Sequence, residues 1–232
     1  MKKLSSLSIF FPTLNEAGGL PDLISKADHV AQKVAKKYEI IVINDGSTDD
    51  TRAVLKKLEK KYKNLRSIHN AHPSGYGGVL KRGFAACKFE WIFYTDGDGQ
   101  YDPMELEKLV QKLDPHIDVV NGYKSRRNDP ISRRAIGSLY NWLLHFLYPI
   151  PIRDVDCDFR LIRRSLLKKI TLNSTSGIIC LELITKLQQA GARFAQIPIH
   201  HYPRKYGTSA FFQLGNLYKT LKEFVRMTGN GT

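Results

Sequence analysis

Four times in succession, a short apolar run in this chain is followed by a longer segment with apolar residues at helical spacing, and this alternation constrains the fold more than any other feature. Leu7 to Phe11 precedes Leu20 to Lys37, Glu39 to Asn44 precedes Asp50 to Lys61, Leu65 to His69 precedes Gly77 to Cys87, and Trp91 to Thr95 precedes Pro103 to Leu113. Parallel strands need crossover helices, so the pattern predicts an α/β fold with a mostly parallel central sheet flanked by helices. Sheets of this kind take ligands at the carboxyl ends of their strands. Polar clusters stand at those ends: PTLNE (Pro12 to Glu16) after the first run, NDGSTDDT (Asn44 to Thr51) after the second, and DGDGQ (Asp96 to Gln100) after the fourth. Three clusters on one rim describe one site.

The chemistry of that rim starts from Asp96 and Asp98. Two carboxylates separated by one residue can both reach a hard cation, and Mg²⁺ or Mn²⁺ held by few protein oxygens keeps room for substrate phosphate oxygens. Gln100 adds a third oxygen, while Gly97 and Gly99 suggest clearance for a diphosphate. Taken alone, the same residues also describe a Gly/Asp turn. In NDGSTDDT, Ser47 or Thr48 suits a helix cap with Asp49 and Asp50 in the first turn, and Asp45 is left to accept hydrogen bonds from a base or ribose.

At 232 residues and 42% hydrophobic content the chain can bury a full core, and 36 Lys plus Arg against 22 Asp plus Glu give a formal charge of +14. That charge points to polyanionic partners. Lys124, Arg126, Arg133, Arg134 and Arg160 suit phosphate, because guanidinium forks match phosphate oxygens, although any one of them also suits a solvated face. A basic nucleic-acid-binding module is the alternative from another class: it explains the charge, but no platform of basic and aromatic residues is evident, DGDGQ and Asp45 are left without a role, and the carboxylate rim repels a phosphate backbone unless metal is bound. Three widely spaced cysteines, Cys87, Cys157 and Cys180, predict neither a disulfide frame nor a zinc site, and point to a reducing compartment. The N-terminus runs from a short apolar stretch into Pro12 and Asn15, as a strand does and a leader does not. Leu139 to Ile152 falls short of a membrane span, so any membrane contact is expected to be peripheral. Gly75, Gly77 and Gly78 predict a helix start without a phosphate loop, and the adjacent His200 and His201 point to opposite faces of a strand. Ser209 to Met227 carries Phe211, Leu214, Tyr218, Leu221 and Val225 at helical spacing, an amphipathic helix that closes the core or lies on lipid.

PTLNE, INDGSTDDT and DGDGQYDP in this order, followed by GYKSRR, SRRAIGSLYN, RDVDCDFRLIRR and HHYPRKYGTS, resemble the family 2 glycosyltransferases of the GT-A fold over nearly the whole chain. The branch is similar to dolichyl-phosphate mannose synthases and bacterial polyprenyl-phosphate glycosyltransferases. The resemblance implies a catalytic domain over residues 1–208, with a nucleotide-sugar half to residue 100 and an acceptor half from 101, and a membrane-surface helix from 209. It implies that Pro12, Asn15, Glu16, Asp45 and Asp96 hold the nucleotide sugar, with Arg126 at the donor phosphate. Asp96, Asp98 and Gln100 hold Mg²⁺ or Mn²⁺. The resemblance likewise implies that Arg134, Ser138 and Arg204 meet the acceptor phosphate, with Lys205 and Ser209 on the same loop. Asp158, Asp98 and Arg160 serve catalysis, Asp158 standing where relatives carry a base, although DVDCDFR departs from the usual SGFR or GDFR.

The implied reaction is inverting transfer of a hexose from GDP-mannose or a UDP-sugar to a polyprenyl phosphate, on the cytoplasmic face of a membrane with or without a membrane-protein partner. Transfer to a saccharide hydroxyl is the alternative, and the chain lacks the QxxRW motif of processive synthases. A sugar nucleotidyltransferase would open with a Gly-rich loop where this chain has PTLNE.

Overall fold

The computed structural model describes residues 3–127, 144–205, 220 and 222–225, the side chains of Arg126 and Arg127 aside. The chain order is β1 (Leu7–Thr13), α1 (Leu20–Val34), β2 (Tyr38–Asn44), α2 (Thr51–Lys61), β3 (Leu65–His69), α3 (Tyr76–Ala86), β4 (Trp91–Thr95), a 3₁₀ turn at Pro103–Glu105, and α4 (Leu106–Lys112). Then come β5 (Val119–Arg127), β6 (Phe159–Arg163), α5 (Arg164–Leu167), α6 (Ile179–Gln189) and β7 (Phe194–His201). Residues 144–147 and 222–225 are helical as well.

The strands form one seven-stranded sheet in the order β3-β2-β1-β4-β6-β5-β7. β1 pairs in parallel with β2 and β4, and β2 with β3, whereas β6 runs antiparallel to β4 and β5. β1, LSIFFPT, is buried along its length. A strand covered on both faces reads as a continuous apolar run because each face has its own helices. Alternate residues therefore serve different cores: Ile9 and Phe11 share one with Leu20, Ile24 and Leu106, and Phe10 shares the other with Val79, Leu80, Leu183 and Leu187. In α1, Leu20, Leu23, Ile24, Ala27, Val30, Ala31 and Val34 line the buried stripe. The helical period predicted this face.

After β1 the chain moves outward to β2 and β3, then returns to place β4 on β1's other side. That reversal leaves a crevice at the carboxyl ends of β1 and β4.

One expectation at α2 is corrected. The residue before the helix is Asp50, with no side-chain cap, and no acidic residue lies in the first turn. Ser47 Oγ and Thr48 N instead bond to Asn15 in the loop after β1, and Asp49 Oδ1 accepts from Thr51 N at 3.0 Å. The helix start at Gly75 is as expected, with Gly75 at φ +78° ahead of Tyr76. His200 and His201 do diverge: His200 Nδ1 lies 2.9 Å from Glu105 Oε1, and the His201 ring meets Tyr101. Cys87, Cys157 and Cys180 are free and buried. Among the described residues, no helix is long and apolar enough to cross a membrane. Of the residues expected to form a C-terminal amphipathic helix, Phe211, Leu214, Tyr218 and Leu221 lie outside the described residues.

Candidate active site

The loop after β1 is built by its neighbours. Asn15 has φ 58°, the single positive value among the described non-glycine residues, a backbone region that asparagine tolerates better than most. Asn15 N donates to Ser47 Oγ at 2.8 Å, and Thr48 N donates to Asn15 Oδ1 at 2.8 Å. Glu16 N donates to Thr51 Oγ1 and Ala17 N to Asp49 Oδ2. These bonds spend the Asn15 side chain on holding two loops together, and Pro12 is buried within β1 opposite Ile43. Of the PTLNE residues expected at the nucleotide, Glu16 alone brings a carboxylate to the crevice. It is buried, its Oε1 accepts from Arg204 at 3.0 Å, and its Oε2 is enclosed without a hydrogen-bond partner. Burial, opposed by Arg204, pushes the Glu16 carboxyl up to about 7.

Asp45 follows β2 and is almost fully enclosed. Its oxygens accept from Ser74 N at 2.9 and 3.0 Å, from Ser74 Oγ at 2.8 Å and from Asn70 Nδ2 at 2.5 Å. The chain already satisfies this carboxylate.

Asp96 and Asp98 stand across the crevice, after β4. Gly97 N donates to Pro12 O at 3.0 Å, and a Cβ at Gly97 would lie 2.3 Å from Thr13 Cγ2 and 2.8 Å from Pro12 O. Gly99 has φ +73° and open space around it. The expectation that both glycines clear a diphosphate is therefore corrected at Gly97, which is glycine because β1 packs there. Gly99 is glycine for its left-handed backbone. Gln100 is anchored to the segment after β7: its Nε2 donates to Tyr202 O at 3.2 Å while Tyr202 N donates to Gln100 O at 2.8 Å. The amide nitrogen ties the segment after β7 to the turn, while Oε1, the atom that would serve a cation, is not used in that bond. Arg204, on that segment, bridges Asp98 Oδ2 at 2.5 Å and Glu16 Oε1. The expected acceptor arginine thus sits across the donor carboxylates.

Asp158 precedes β6 and completes the rim. Its Oδ1 accepts from Arg160 Nη1 at 2.7 Å and Tyr94 OH at 3.1 Å, and Cys180 Sγ lies 3.4 Å from both oxygens. Arg160 has no exposed surface. Its Nε donates to Asn121 Oδ1 at 2.5 Å, its Nη1 also to Tyr94 OH, and its Nη2 to Val155 O. A guanidinium fully used behind Asp158 holds that carboxylate and does not reach substrate, which corrects the catalytic expectation for Arg160.

Tyr76 OH lies 2.7 Å from Asp96 Oδ1 and 2.7 Å from Asp158 Oδ2. One hydroxyl proton cannot serve both carboxylates at once, so the two compete for it. Burial, then the charges of Asp158 and Asp98, push the Asp96 carboxyl well above the usual carboxylate range. A divalent cation would relieve that crowding. Among the described residues no three His, Cys, Asp or Glu side chains form a ready metal cage, and a cation held by one or two carboxylates keeps positions for phosphate oxygens. The donor set fits Mg²⁺ or Mn²⁺.

Tyr76 and Cys180 were not singled out in the sequence. A tyrosine between Gly75 and Gly77 at a helix start is the signal that points to the first. Nothing in the local sequence points to the second. Arg134 and Ser138 lie outside the described residues, and Arg126 is placed by backbone alone, opposite His200 in β7.

The model of the family "Glycosyl transferase family 2" matches residues 8–171. Among curated proteins, the chain is 28% identical over 217 residues to the undecaprenyl-phosphate 4-deoxy-4-formamido-L-arabinose transferase of Klebsiella pneumoniae (strain 342), covering 92% of this chain and 65% of that protein. The protein of the same description from Salmonella choleraesuis (strain SC-B67) is 28% identical over 221 residues, with the same coverage. The chain thus spans about two thirds of the length of these relatives, 65%. Among solved structures, glucosyl-3-phosphoglycerate synthase from Mycobacterium tuberculosis in complex with Mn²⁺, uridine diphosphate and glucosyl-3-phosphoglycerate superimposes with a TM-score of 0.75 at 20% identity, covering 97% of this chain and 80% of that one. The same enzyme with Mn²⁺ and UDP-glucose gives 0.71 at 18% identity, covering 97% and 79%. The GT-A fold is common to all of them.

Proposed function

Because the chain belongs to the family 2 glycosyltransferases, we propose that it transfers a hexose, with inversion, from a nucleoside-diphosphate sugar to a polyprenyl phosphate at the cytoplasmic face of a membrane. The observation that carries the reading is the meeting of Asp96, Asp98 and Asp158 at the crevice between β1 and β4, with Asp96 and Asp158 joined through Tyr76. The names of the curated relatives support the lipid phosphate acceptor, and the Mn²⁺ and UDP of the structural neighbours support a cation at Asp96 and Asp98.

A cation held there supplies a Lewis acid for the leaving diphosphate. This chain's own residues do the rest. Arg160 and Tyr94 fix Asp158 from behind, so it faces the crevice in one orientation. Since a phosphate monoester is largely anionic near neutral pH, positioning matters more than deprotonation, and Asp158 orients the incoming group. Arg204 leaves Asp98 and Glu16 when the diphosphate arrives and offers its fork to phosphate. Exposed apolar side chains at residues 144–147, Phe146 at 75% and Leu147 at 45%, together with the +14 charge, suit a surface lying on anionic lipid.

The test is incubation of the full chain with vesicles containing undecaprenyl phosphate, Mn²⁺ and a panel of GDP- and UDP-sugars, followed by mass spectrometry of the extracted lipid. A glycosylated polyprenyl phosphate formed from one donor, and lost with EDTA, is expected. Sugar found only on a soluble saccharide acceptor would move the reading to glycan synthesis.

A further inference from the structure

Four successive backbone amides, from Asn173 to Ser176, donate to carboxylates. Asn173 N and Ser174 N reach Glu182 Oε1 and Oε2, each at 2.8 Å. Thr175 N reaches both oxygens of Glu223 at 3.2 and 3.1 Å, and Ser176 N reaches Glu223 Oε2 at 3.0 Å. The hydroxyls of Thr175 and Ser176 add bonds to Glu223 of 2.8 and 2.7 Å. Glu182 belongs to α6, in the body of the domain. Glu223 belongs to the helical residues 222–225, where the neighbouring Phe224 ring meets Tyr148.

The loop presses its other side on α3. Gly77 N donates to Thr175 O at 3.1 Å, and Lys81 Nζ donates to Asn173 O at 3.0 Å. A Cβ at Gly77 would lie 2.5 Å from Ser174 O and 2.7 Å from Thr175 Cα. Backbone thus meets backbone with no side chain between to absorb a shift. The residue before Gly77 is Tyr76, whose hydroxyl joins Asp96 to Asp158.

We propose that Glu223 is a positioning residue for the transfer reaction. Its carboxylate fixes the 173–176 loop, the loop fixes the first turn of α3, and that turn sets the Tyr76 bridge between the two rim carboxylates. The site is therefore fully assembled only when the turn at residues 222–225 is in place. The kinetic consequence rests on the sugar-transfer reading above, and the mechanical linkage does not.

The experiment compares the full-length chain with its Glu223→Ala, Glu223→Gln, Tyr76→Phe and Glu223→Ala/Tyr76→Phe variants. Hydrogen exchange is expected to quicken about tenfold or more at the amides of Thr175, Ser176 and Gly77 in Glu223→Ala, with Ile40 to Ile43 unchanged. In turnover, Glu223→Ala is expected to lower kcat about tenfold with donor KM within about twofold, Glu223→Gln to recover part of the loss, and the double variant to be no slower than Tyr76→Phe alone. Losses that multiply in the double variant would overturn the linkage, as would a Gly77 amide whose exchange ignores Glu223. Should Glu223→Ala exchange globally, Glu223→Gln carries the same comparison. Should the wild-type chain transfer no sugar, the reaction reading fails while the Gly77 exchange still decides the linkage.

Discussion

Asp45 and Asp96 each follow the last residue of a buried parallel strand, yet their surroundings differ in kind. Asp45 accepts from two side chains and a backbone amide, all neutral donors, and its negative charge is fully solvated by the chain. Asp96 has one tyrosine hydroxyl, shared with Asp158, and Asp98 two residues away. A buried carboxylate with several donors is a finished piece of structure, whereas one crowded by like charge is waiting for a cation. The contrast separates what holds the crevice open from what acts within it.

The largest effect expected from breaking this contrast is on turnover. Asp96→Asn keeps the shape and removes the charge, and a lost Lewis-acid seat worth several kcal/mol corresponds to about a 10³-fold fall in kcat. Steady-state kinetics with the accepted donor would show it. Arg160→Met comes next, since removing one partner of a buried ion pair leaves Asp158 uncompensated and costs about 3–5 kcal/mol. Denaturant unfolding measures that loss. Third, Asp45→Asn should destabilise by about 1–3 kcal/mol by stranding the donors of Ser74 and Asn70. Asp96→Asn should leave metal-free stability unchanged or raised, because it relieves repulsion. The opposite signs, read in the same unfolding series, sharpen the comparison, and equal losses would erase it.

The smallest effect concerns pH. The Glu16 carboxyl is raised from 4.5 to about 7, so the folded state binds the extra proton between those values. Its contribution to stability is fully present below pH 4.5 and is lost as pH rises through about 7. Glu16→Gln should flatten that decline in Tm across pH 4.5 to 7, and an unchanged slope would assign the decline to other groups.

Much of this was legible in the sequence. The first four strands were placed within a residue or two because continuous apolar runs and helical periods are local signals, as Leu65–His69 and Trp91–Thr95 illustrate. The single rim followed from the rule that ligands meet strand ends, and Asp96, Asp98, Glu16 and Asp158 do gather there. What local sequence did not disclose depends on contacts between distant segments. Arg160 looked like a phosphate ligand because charge carries no label of burial, and Tyr94 and Asn121, which enclose it, lie far away in the chain. Gln100 stood in ligand spacing, but that its amide nitrogen is held by Tyr202, more than a hundred residues on, was not visible there. Ser47 and Thr48 read as caps because their partner, Asn15, belongs to another strand end. Tyr76 acts on carboxylates 20 and 82 residues away. No window along the chain contains that group.

The central claim is that Asp96 and Asp98 seat a divalent cation that completes a nucleoside-diphosphate site. The most direct measurement is the thermal unfolding of the full chain with GDP and with UDP, each in Mn²⁺ and in EDTA, repeated on Asp96→Asn. The account predicts that one nucleotide raises Tm with Mn²⁺ and has little effect in EDTA or on the variant. A rise of equal size in EDTA, or one that survives in Asp96→Asn, would contradict it.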